Sequence, residues 1–355
     1  MCKISSVAAM APIATYVFLD LGTTSKYADS NEITELSMVA VDRQQFLDSI
    51  SQENPEIPKF LNKLTRCFKP ETQKISYTAR ADGTGGFTEE MLQGELSLNE
   101  SCFHLIDTFL YSLAKPVCII AHYGFQSDYI ILKRYFTKLQ VKFSSELVCV
   151  DTHQAFYDIL EEKRDEKYVE EYLEQLGLIP ANSSKPINRE RDIIRDAAFE
   201  ERPGIRKILE TMRNDNPSLS SCNPLPGQDA LNPGNSSMPS ITPLPGQDAL
   251  NAFITELKEG LRRFLKNHRR KYERKDKKRA KRQYPWGPEI NMPGVSYELP
   301  ETYTRVFKRK PRDAHKAEVD CILMLEIAVK LGQDFVDWVD DETNQLLFPS
   351  LTEEI

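Results

Sequence analysis

The chain has 355 residues, of which 40% are hydrophobic, and carries a formal net charge of −7 with a pI near 5.5. This length and hydrophobic content support a full globular core. The acidic balance excludes a protein that binds nucleic acid through an overall basic surface, so any such contact must use a local patch. Apolar runs long enough to span a membrane are absent, and the seven cysteines are scattered without zinc spacing. We therefore expect a soluble nuclear or cytoplasmic protein with reduced thiols and no membrane contact.

The first predicted element is a strand that begins near Thr15 and leads through Asp20 into a loop around Thr24. A carboxylate at the end of a buried strand is poorly solvated and is more stable beside a cation, which favours metal binding. By itself, Asp20 is also explained as a helix cap or a turn residue. Its role depends on what later stretches of the chain place beside it.

The next part of the chain alternates apolar runs with helical patterns. A glycine-rich loop at residues 82–87 lacks the Gly-Lys-Ser/Thr ending of a phosphate-binding loop. After an opening antiparallel meander, strands that alternate with helices predict an α/β fold with a mixed central β-sheet flanked by helices. The further predicted strands are 33–41, near 66–69, 117–121 and 147–150, and the predicted helices are 88–96 and 99–113.

Two later stretches carry polar residues that could join Asp20 in one metal-binding site. Residues 116–132 predict a buried strand, then a glycine turn, then Asp128 at the start of a helix. His315 and Asp320 stand five positions apart at the head of an apolar helix, which leaves them on adjacent parts of one surface. Asp151 also ends a strand and offers a further carboxylate, but the family resemblance given below implies that it lies just outside the site and is structural.

Six short stretches occur in the order of a known family. They are 18–21 (FLDL), 33–36 (ITEL), 149–152 (CVDT), 296–297 (SY), 303–305 (YTR) and 315–320 (HKAEVD). In them the chain resembles the DEDDh 3′-5′ exonucleases, specifically the three-prime repair branch. The resemblance covers about residues 13–160 and 284–340. It implies a ribonuclease H-like fold and a metal-dependent 3′-5′ exodeoxyribonuclease that removes nucleotides from DNA 3′ ends.

The same resemblance implies roles for individual residues. Asp20 would bridge two divalent cations, Mg²⁺ or Mn²⁺, while Asp128 supports one ion through water and Asp320 binds the other. His315 would remove the proton from the attacking water, since its unperturbed pKa lies close to neutrality. The resemblance further implies substrate contacts from Leu21, Gly22, Thr23, Thr24, Gly86, Phe87, His122 and Tyr123.

One departure from the family concerns the first motif. The family has Asp-x-Glu there, whereas this chain has Gly22 two residues after Asp20, so one metal-binding carboxylate is missing. Smaller departures are Tyr123 in place of an asparagine and Ser127 in place of an aromatic residue. Mg²⁺ accepts water ligands readily, so a site with Gly22 could still hold an ion, though less firmly.

Two hypotheses follow from this pattern. The first is an exonuclease weakened by Gly22, acting on single-stranded DNA or DNA 3′ ends. The second is a catalytically inactive pseudo-exonuclease that serves as a nucleic-acid or protein binding module. The sequence leaves open a preference for RNA and the formation of a homodimer through an edge strand.

Residues 161–283 differ in character from the flanking sequence, so we predict an exonuclease domain of 13–160 plus 284–342 with this stretch as an insertion and 343–355 as a tail. The insertion starts with a charged helical part. A nonapeptide (PLPGQDALN) at 224–232 recurs at 243–251 and predicts a partly disordered linker or a short recognition motif. Residues 262–282 then hold 13 Lys and Arg residues and predict a basic helix that binds phosphates or directs nuclear import.

Overall fold

The computed structural model describes residues 12–24, 31–71, 87–175, 255, 296–312 and 316–348. The chain divides into two compact units, one of Met1–Leu160 with Met292–Ile355 and the other of Glu161–Asn291. The repeated nonapeptide and the basic run of the predicted insertion lie outside the described residues. So do Gly86 and His315 of the predicted site.

A six-stranded sheet forms the centre of the first unit. Its strands lie in the order β3-β2-β1-β4-β5-β6. The first three strands pair antiparallel, β1 pairs parallel with β4 and β4 with β5, and β6 returns antiparallel to β5. The α/β fold with a mixed central sheet is therefore confirmed. The strands are β1 (Thr15–Thr23), β2 (Ile33–Asp42), β3 (Asn62–Cys67), β4 (Val117–Ala121), β5 (Val148–Asp151) and β6 (Leu346–Leu347).

Eight α-helices and one 3₁₀ turn are present in the described residues. The third helix agrees closely with the prediction for 99–113, whereas the second is shorter than the predicted 88–96. The helices are α1 (Arg43–Ile50), α2 (Glu89–Leu92), α3 (Glu100–Tyr111), α4 (Asp128–Leu139), α5 (Thr152–Gln175), α6 (Leu299–Phe307), α7 (Ala317–Leu331) and α8 (Gln333–Asp340), and the 3₁₀ turn is Glu342–Asn344.

The two faces of β1 pack against different layers. Val17 and Leu19 join the core cluster formed with α3 and α4. On the other face, the ring of Phe18 stacks on Phe335 of α8 at 6.4 Å between centroids. Because side chains alternate along a strand, Asp20 projects from the same face as Phe18. The alternation therefore fixes which layer covers the Asp20 carboxylate.

The predicted boundary between the exonuclease domain and its C-terminal tail is wrong. Residues 343–355 were predicted to be a tail, but Leu346 and Leu347 pair with β5 as the short strand β6. Phe348 follows them, and its ring lies 5.8 Å from that of Phe136 in the core. The first unit therefore continues past the predicted end at 342. These apolar residues pair with the edge strand β5 and bury Phe348 in the core.

Two composition-based expectations can be compared with the described residues. The five cysteines in these ranges, Cys67, Cys102, Cys118, Cys149 and Cys321, are free thiols. None of the helices in the part of the chain that the structure describes has the length and apolarity of a membrane span.

Candidate active site

Asp20 lies near the end of β1, opposite Ser37 of β2. Burial raises the pKa of its carboxyl group well above the ordinary value, and the charges of Asp320, Asp128 and Glu35 raise it further. Three other carboxylates are therefore close enough to act on Asp20. A group of acids that repel one another in a poorly solvated place is stabilised by a cation.

Asp128 is the first residue of α4 and is 4% exposed. Burial raises the pKa of this carboxyl group, and the charges of Asp151 and Asp320 also raise it. The backbone N–H of Leu21 donates a hydrogen bond to the carboxylate, which acts in the opposite direction. This bond ties the start of α4 to the end of β1, and so places Asp128 near Asp20.

The turn before Asp128 depends on a close packing contact. A Cβ atom built on Gly124 would lie 2.5 Å from a ring carbon of Tyr129, closer than real Cβ contacts occur. The Tyr129 hydroxyl donates to the backbone carbonyls of strands β4 and β5. Glycine at 124 therefore lets the buried Tyr129 ring lock α4 onto the sheet.

Asp320 lies in the first turn of α7 and is 9% exposed. Two contacts fix this turn on β2: the N–H of Ala317 donates to the Glu35 carboxylate at 2.9 Å, and the Cys321 thiol donates to the Ser37 carbonyl at 3.4 Å. Since Ser37 pairs with Asp20, the helix start is held over the end of β1. The charge of Asp320 acts on both other aspartates.

The charges of Asp128 and Asp320 thus act on Asp20, and the charge of Asp320 acts on Asp128. His315, which precedes the described part of α7, remains a prediction from sequence. Among the described residues, no three His, Cys, Asp or Glu side chains form a group that could hold a metal ion. Mg²⁺ does not require one, because it keeps several waters and uses one or two protein carboxylates together with substrate phosphates. The oxygen donors present fit that chemistry.

The predicted substrate contacts at the end of β1 lie beside this group. The hydroxyl of Thr24 accepts a hydrogen bond from the N–H of Glu32 at 3.0 Å, and that of Thr23 accepts from the side-chain amide of Asn31 at 3.4 Å. These bonds hold the two ends of the β1–β2 connection together. Phe87 is half-buried just before α2. The substrate roles of Leu21, Gly22, Thr23, Thr24, Gly86 and Phe87 remain predictions.

His122 and Tyr123 follow β4 at the same edge of the sheet. The ring nitrogens of His122 lie 3.0 Å from the Thr152 hydroxyl and 3.0 Å from the Tyr297 carbonyl. The carbonyl can only accept, so Nε2 donates to it and Nδ1 accepts from Thr152. Burial, with a smaller effect of His153, lowers the pKa of His122 to about 3. A neutral, internally bonded ring suits a positioning role, and its predicted substrate contact stays a prediction.

Tyr123 adopts a backbone conformation that large side chains seldom take, with φ at 60°. The Asp151 carboxylate accepts the N–H of Tyr123 at 3.0 Å, as well as those of Phe125 and His153. The ring of Tyr123 lies 4.0 Å from that of His153. Asp151 therefore organises the backbone around Tyr123, which confirms its structural interpretation.

Glu35 is the residue of this site that sequence reasoning missed. It lies on β2 directly opposite Gly22 and is 7% exposed. Burial raises the pKa of its carboxyl group, while the hydrogen bond from Ala317 opposes the shift. The available signal was an acidic residue within an otherwise apolar strand. Buried carboxylates are rare unless something compensates their charge.

The chain is similar in sequence to known exonucleases. The chain is 34% identical over 148 residues to three prime repair exonuclease 2 of Mus musculus, covering 39% of this chain and 59% of the relative. The human protein of the same name gives the same values. It is 30% identical over 149 residues to three-prime repair exonuclease 1 of Bos taurus, covering 40% and 46%. Over these residues the chain is similar to the three prime repair exonucleases.

The match to this family is partial in length. The chain spans 59% of the mouse and human relatives and 46% of the bovine one. Among solved structures, Escherichia coli exonuclease I in complex with a dT13 oligonucleotide gives a TM-score of 0.30 at 15% identity, covering 40% of this chain and 28% of that chain. A product-bound exonuclease I gives 0.28 at 16%, covering 37% and 27%. No protein-family model matches the chain.

In the DEDDh exonucleases that the chain resembles, the letters denote the acidic residues and the histidine of the site. Asp20, Asp128, Asp320 and His315 stand at four of the five positions of that motif, and Gly22 stands where the motif has glutamate.

Proposed function

We propose that the chain is a metal-dependent 3′-5′ exodeoxyribonuclease that removes nucleotides from DNA 3′ ends. The observation that supports this most is the convergence of Asp20, Asp128 and Asp320 from β1, α4 and α7 into one group whose charges act on one another. A structural protein has no reason to collect poorly solvated carboxylates from three separate elements. A site for divalent cations does, because the cations offset the repulsion.

In the proposed reaction, water attacks the last phosphodiester bond and the P–O3′ bond breaks. The nucleotide leaves as a 5′-monophosphate, and the new chain end takes up a proton as a 3′-hydroxyl. Divalent cations would supply activation of the water and stabilisation of the leaving oxygen. Asp20, Asp128 and Asp320 would hold these ions, and His315 would accept the proton of the attacking water.

The local structure supports the positioning that this reaction needs. The Leu21 N–H ties Asp128 to β1, and the two contacts from α7 to β2 set Asp320 over Asp20. The Asp128 carboxylate is thus held by a backbone group, and helix α7, which carries Asp320, is held on β2. Such preorganisation lowers the reorganisation that binding of ions and a phosphate chain would otherwise require.

A nuclease assay on the full chain tests this function. A 5′-labelled single-stranded DNA oligonucleotide with Mg²⁺ should give a ladder that shortens one nucleotide at a time from the 3′ end. Asp320→Asn should abolish the ladder. Glu318→Gln is the matched control, because Glu318 lies in the same helix turn but pairs with Lys63 at 2.8 Å. Wild-type protein that shortens DNA no faster than Asp320→Asn would overturn the proposal.

A second candidate function is a binding module without catalysis, and Gly22 is the observation that favours it. Loss of the motif carboxylate removes one negative charge from the metal site. Fluorescence anisotropy with the same labelled oligonucleotide distinguishes the two. Tight binding by a wild-type chain that produces no ladder would support the binding module.

A homodimer through an edge strand is also proposed from the family resemblance. The two ends of the described sheet are β3 and β6. Strand β3 has six residues, whereas β6 has two, so β3 offers the longer edge. Sedimentation of the full chain measures this. A monomer at micromolar concentration would contradict it.

A further inference from the structure

We propose that an exposed basic surface at the end of helix α6 binds the phosphate backbone of single-stranded DNA. This surface, called the α6 surface below, consists of Lys308, Arg309, Lys310 and Arg312. The inference rests on the proposed function, and it names a place where the substrate chain would be held outside the site of cleavage.

The first support is the local charge. From Thr302 to Arg312 the chain has five Lys and Arg residues and no Asp or Glu, in a protein whose net charge is −7. All four residues of the α6 surface are exposed. Among the described residues, the ion pairs involve other cations than Lys308, Lys310 and Arg312. A local basic patch on an acidic protein is the arrangement that attracts a nucleic-acid backbone.

The second support is the way Arg309 is held. Its guanidinium group donates a hydrogen bond to the Tyr303 hydroxyl at 2.9 Å. The same group lies 5.8 Å from the centroid of the Tyr303 ring and 5.7 Å from that of Phe307. A guanidinium group that is already ordered loses less side-chain entropy when it binds a phosphate. Arg309 is therefore positioned in advance at the centre of the surface.

The third support is the position of the α6 surface relative to the candidate active site. The hydroxyl of Tyr303, to which Arg309 donates, itself donates a hydrogen bond to the Glu326 carboxylate of α7. Glu326 follows Asp320 by six residues, which is about 9 Å along a helix. Arg309 therefore lies beside the middle of the helix that carries Asp320 in its first turn. A strand that leaves the active site along α7 would reach the α6 surface.

The competing explanation is that these cations only stabilise the C-terminal end of α6. Cations near a helix C-terminus interact favourably with the helix dipole, but this effect falls off within the last turn. Helix α6 ends at Phe307, and Lys308 is its C-cap residue. Lys310 and Arg312 lie beyond the cap. The helix dipole therefore explains Lys308 and leaves the other two charges without a structural role.

Fluorescence anisotropy of the full chain with a 5′-labelled single-stranded DNA oligonucleotide in EDTA provides the test, because EDTA prevents metal-dependent cleavage during the measurement. The test variant replaces Lys308, Lys310 and Arg312 by glutamine. Each phosphate contact to a single strand contributes about 0.7 to the slope of log affinity against log salt concentration. The slope of the variant should therefore be smaller than that of wild type by about 2.

A second triple variant controls for the loss of overall charge. It replaces Lys59, Lys138 and Lys142 by glutamine, which removes the same charge from three exposed positions. Lys59 precedes β3, Lys138 lies in the last turn of α4, and Lys142 follows that helix. Its salt slope should equal that of wild type. Circular dichroism confirms that both variants are folded.

An equal loss of slope in both variants, or no loss in the α6 variant, would overturn this inference. The proposed function would stand in either case if wild type still shortens DNA from the 3′ end. An unchanged slope together with reduced nuclear accumulation of the α6 variant would overturn it in favour of an import receptor as the partner. A wild-type chain that neither binds nor shortens DNA would overturn the proposed function as well.

Discussion

Gly22 lies directly opposite Glu35 in the β1–β2 ladder, and a Cβ atom at position 22 would come within 3.0 Å of the Glu35 Cβ. That separation is tighter than nine in ten real Cβ contacts, so Glu35 would have to move by a few tenths of an ångström to admit a side chain at position 22. The residue type at position 22 therefore affects how closely β1 and β2 can pack at this pair.

We expect Gly22→Glu alone to lower the free energy of unfolding of the metal-free protein by about 1 kcal/mol or more, through overpacking and the repulsion of two opposed carboxylates. Urea unfolding with EDTA measures it. Gly94→Glu is the control, since nothing lies within 4 Å of a Cβ atom built on Gly94. Equal destabilisation by both variants would contradict the crowding at Gly22.

Asp20→Asn should stabilise the metal-free protein at pH 8 while abolishing nuclease activity. Burial and three neighbouring acids raise the pKa of Asp20 above its unfolded value, so ionised Asp20 opposes folding above the folded pKa. We expect the gain to be larger at pH 8 than at pH 5, because lowering the pH favours the protonated form of the wild-type carboxyl group. Urea unfolding at both pH values measures the gain. If Asp20→Asn stabilises the protein equally at both pH values, or destabilises it at pH 8, the pKa of Asp20 is not raised by its surroundings.

His153 provides a test at low pH. His153 is only 2% exposed, and this burial lowers the pKa of its imidazole to about 3. Below pH 6.5 the unfolded chain binds a proton that the folded chain does not, so this residue destabilises the fold progressively as pH falls toward 3. The stability difference between His153→Gln and wild type should therefore change by about 1.4 kcal/mol per pH unit between pH 6 and 4. If the free energy of unfolding changes with pH in the same way for His153→Gln and wild type, His153 is protonated in the native state and the prediction is wrong.

The basic run at residues 262–282, which lies outside the described residues, should supply sequence-independent affinity for DNA. Its 13 Lys and Arg residues would release counterions from phosphates. Replacing half of them by glutamine should reduce the slope of log affinity against log salt concentration. An unchanged slope in fluorescence anisotropy would restrict the run to a solvated or import-directing role.

Elements with a clear hydrophobic pattern in their own residues could be predicted from the sequence, whereas elements defined by contacts with distant residues could not. The strand at Val117–Ala121 was predicted with its observed bounds, because a strand buried on both faces has a continuous apolar run. Helix α1 was not predicted, since Phe46 is its one large residue that is fully buried. Strand β6 has only two residues, and pairing with β5 alone defines it.

The same division holds for the candidate site. Asp20, Asp128 and Asp320 stand in motifs, so the resemblance located them. Glu35 lies in an equally well matched stretch, but its relation to Gly22 depends on the register of two strands, which the sequence does not specify. His122 was predicted from its motif to contact substrate, whereas its two internal hydrogen bonds depend on Thr152 and Tyr297, which are distant in the chain.

Anomalous diffraction from crystals of the full chain grown with Mn²⁺ and thymidine 5′-monophosphate tests the central claim most directly. That claim is that a metal-dependent nuclease site persists although Gly22 replaces the motif glutamate. We predict a manganese peak in contact with the carboxylates of Asp20 and Asp320 and with the phosphate of the nucleotide. Crystals that bind the nucleotide elsewhere, or that show no manganese beside Asp20, would contradict it.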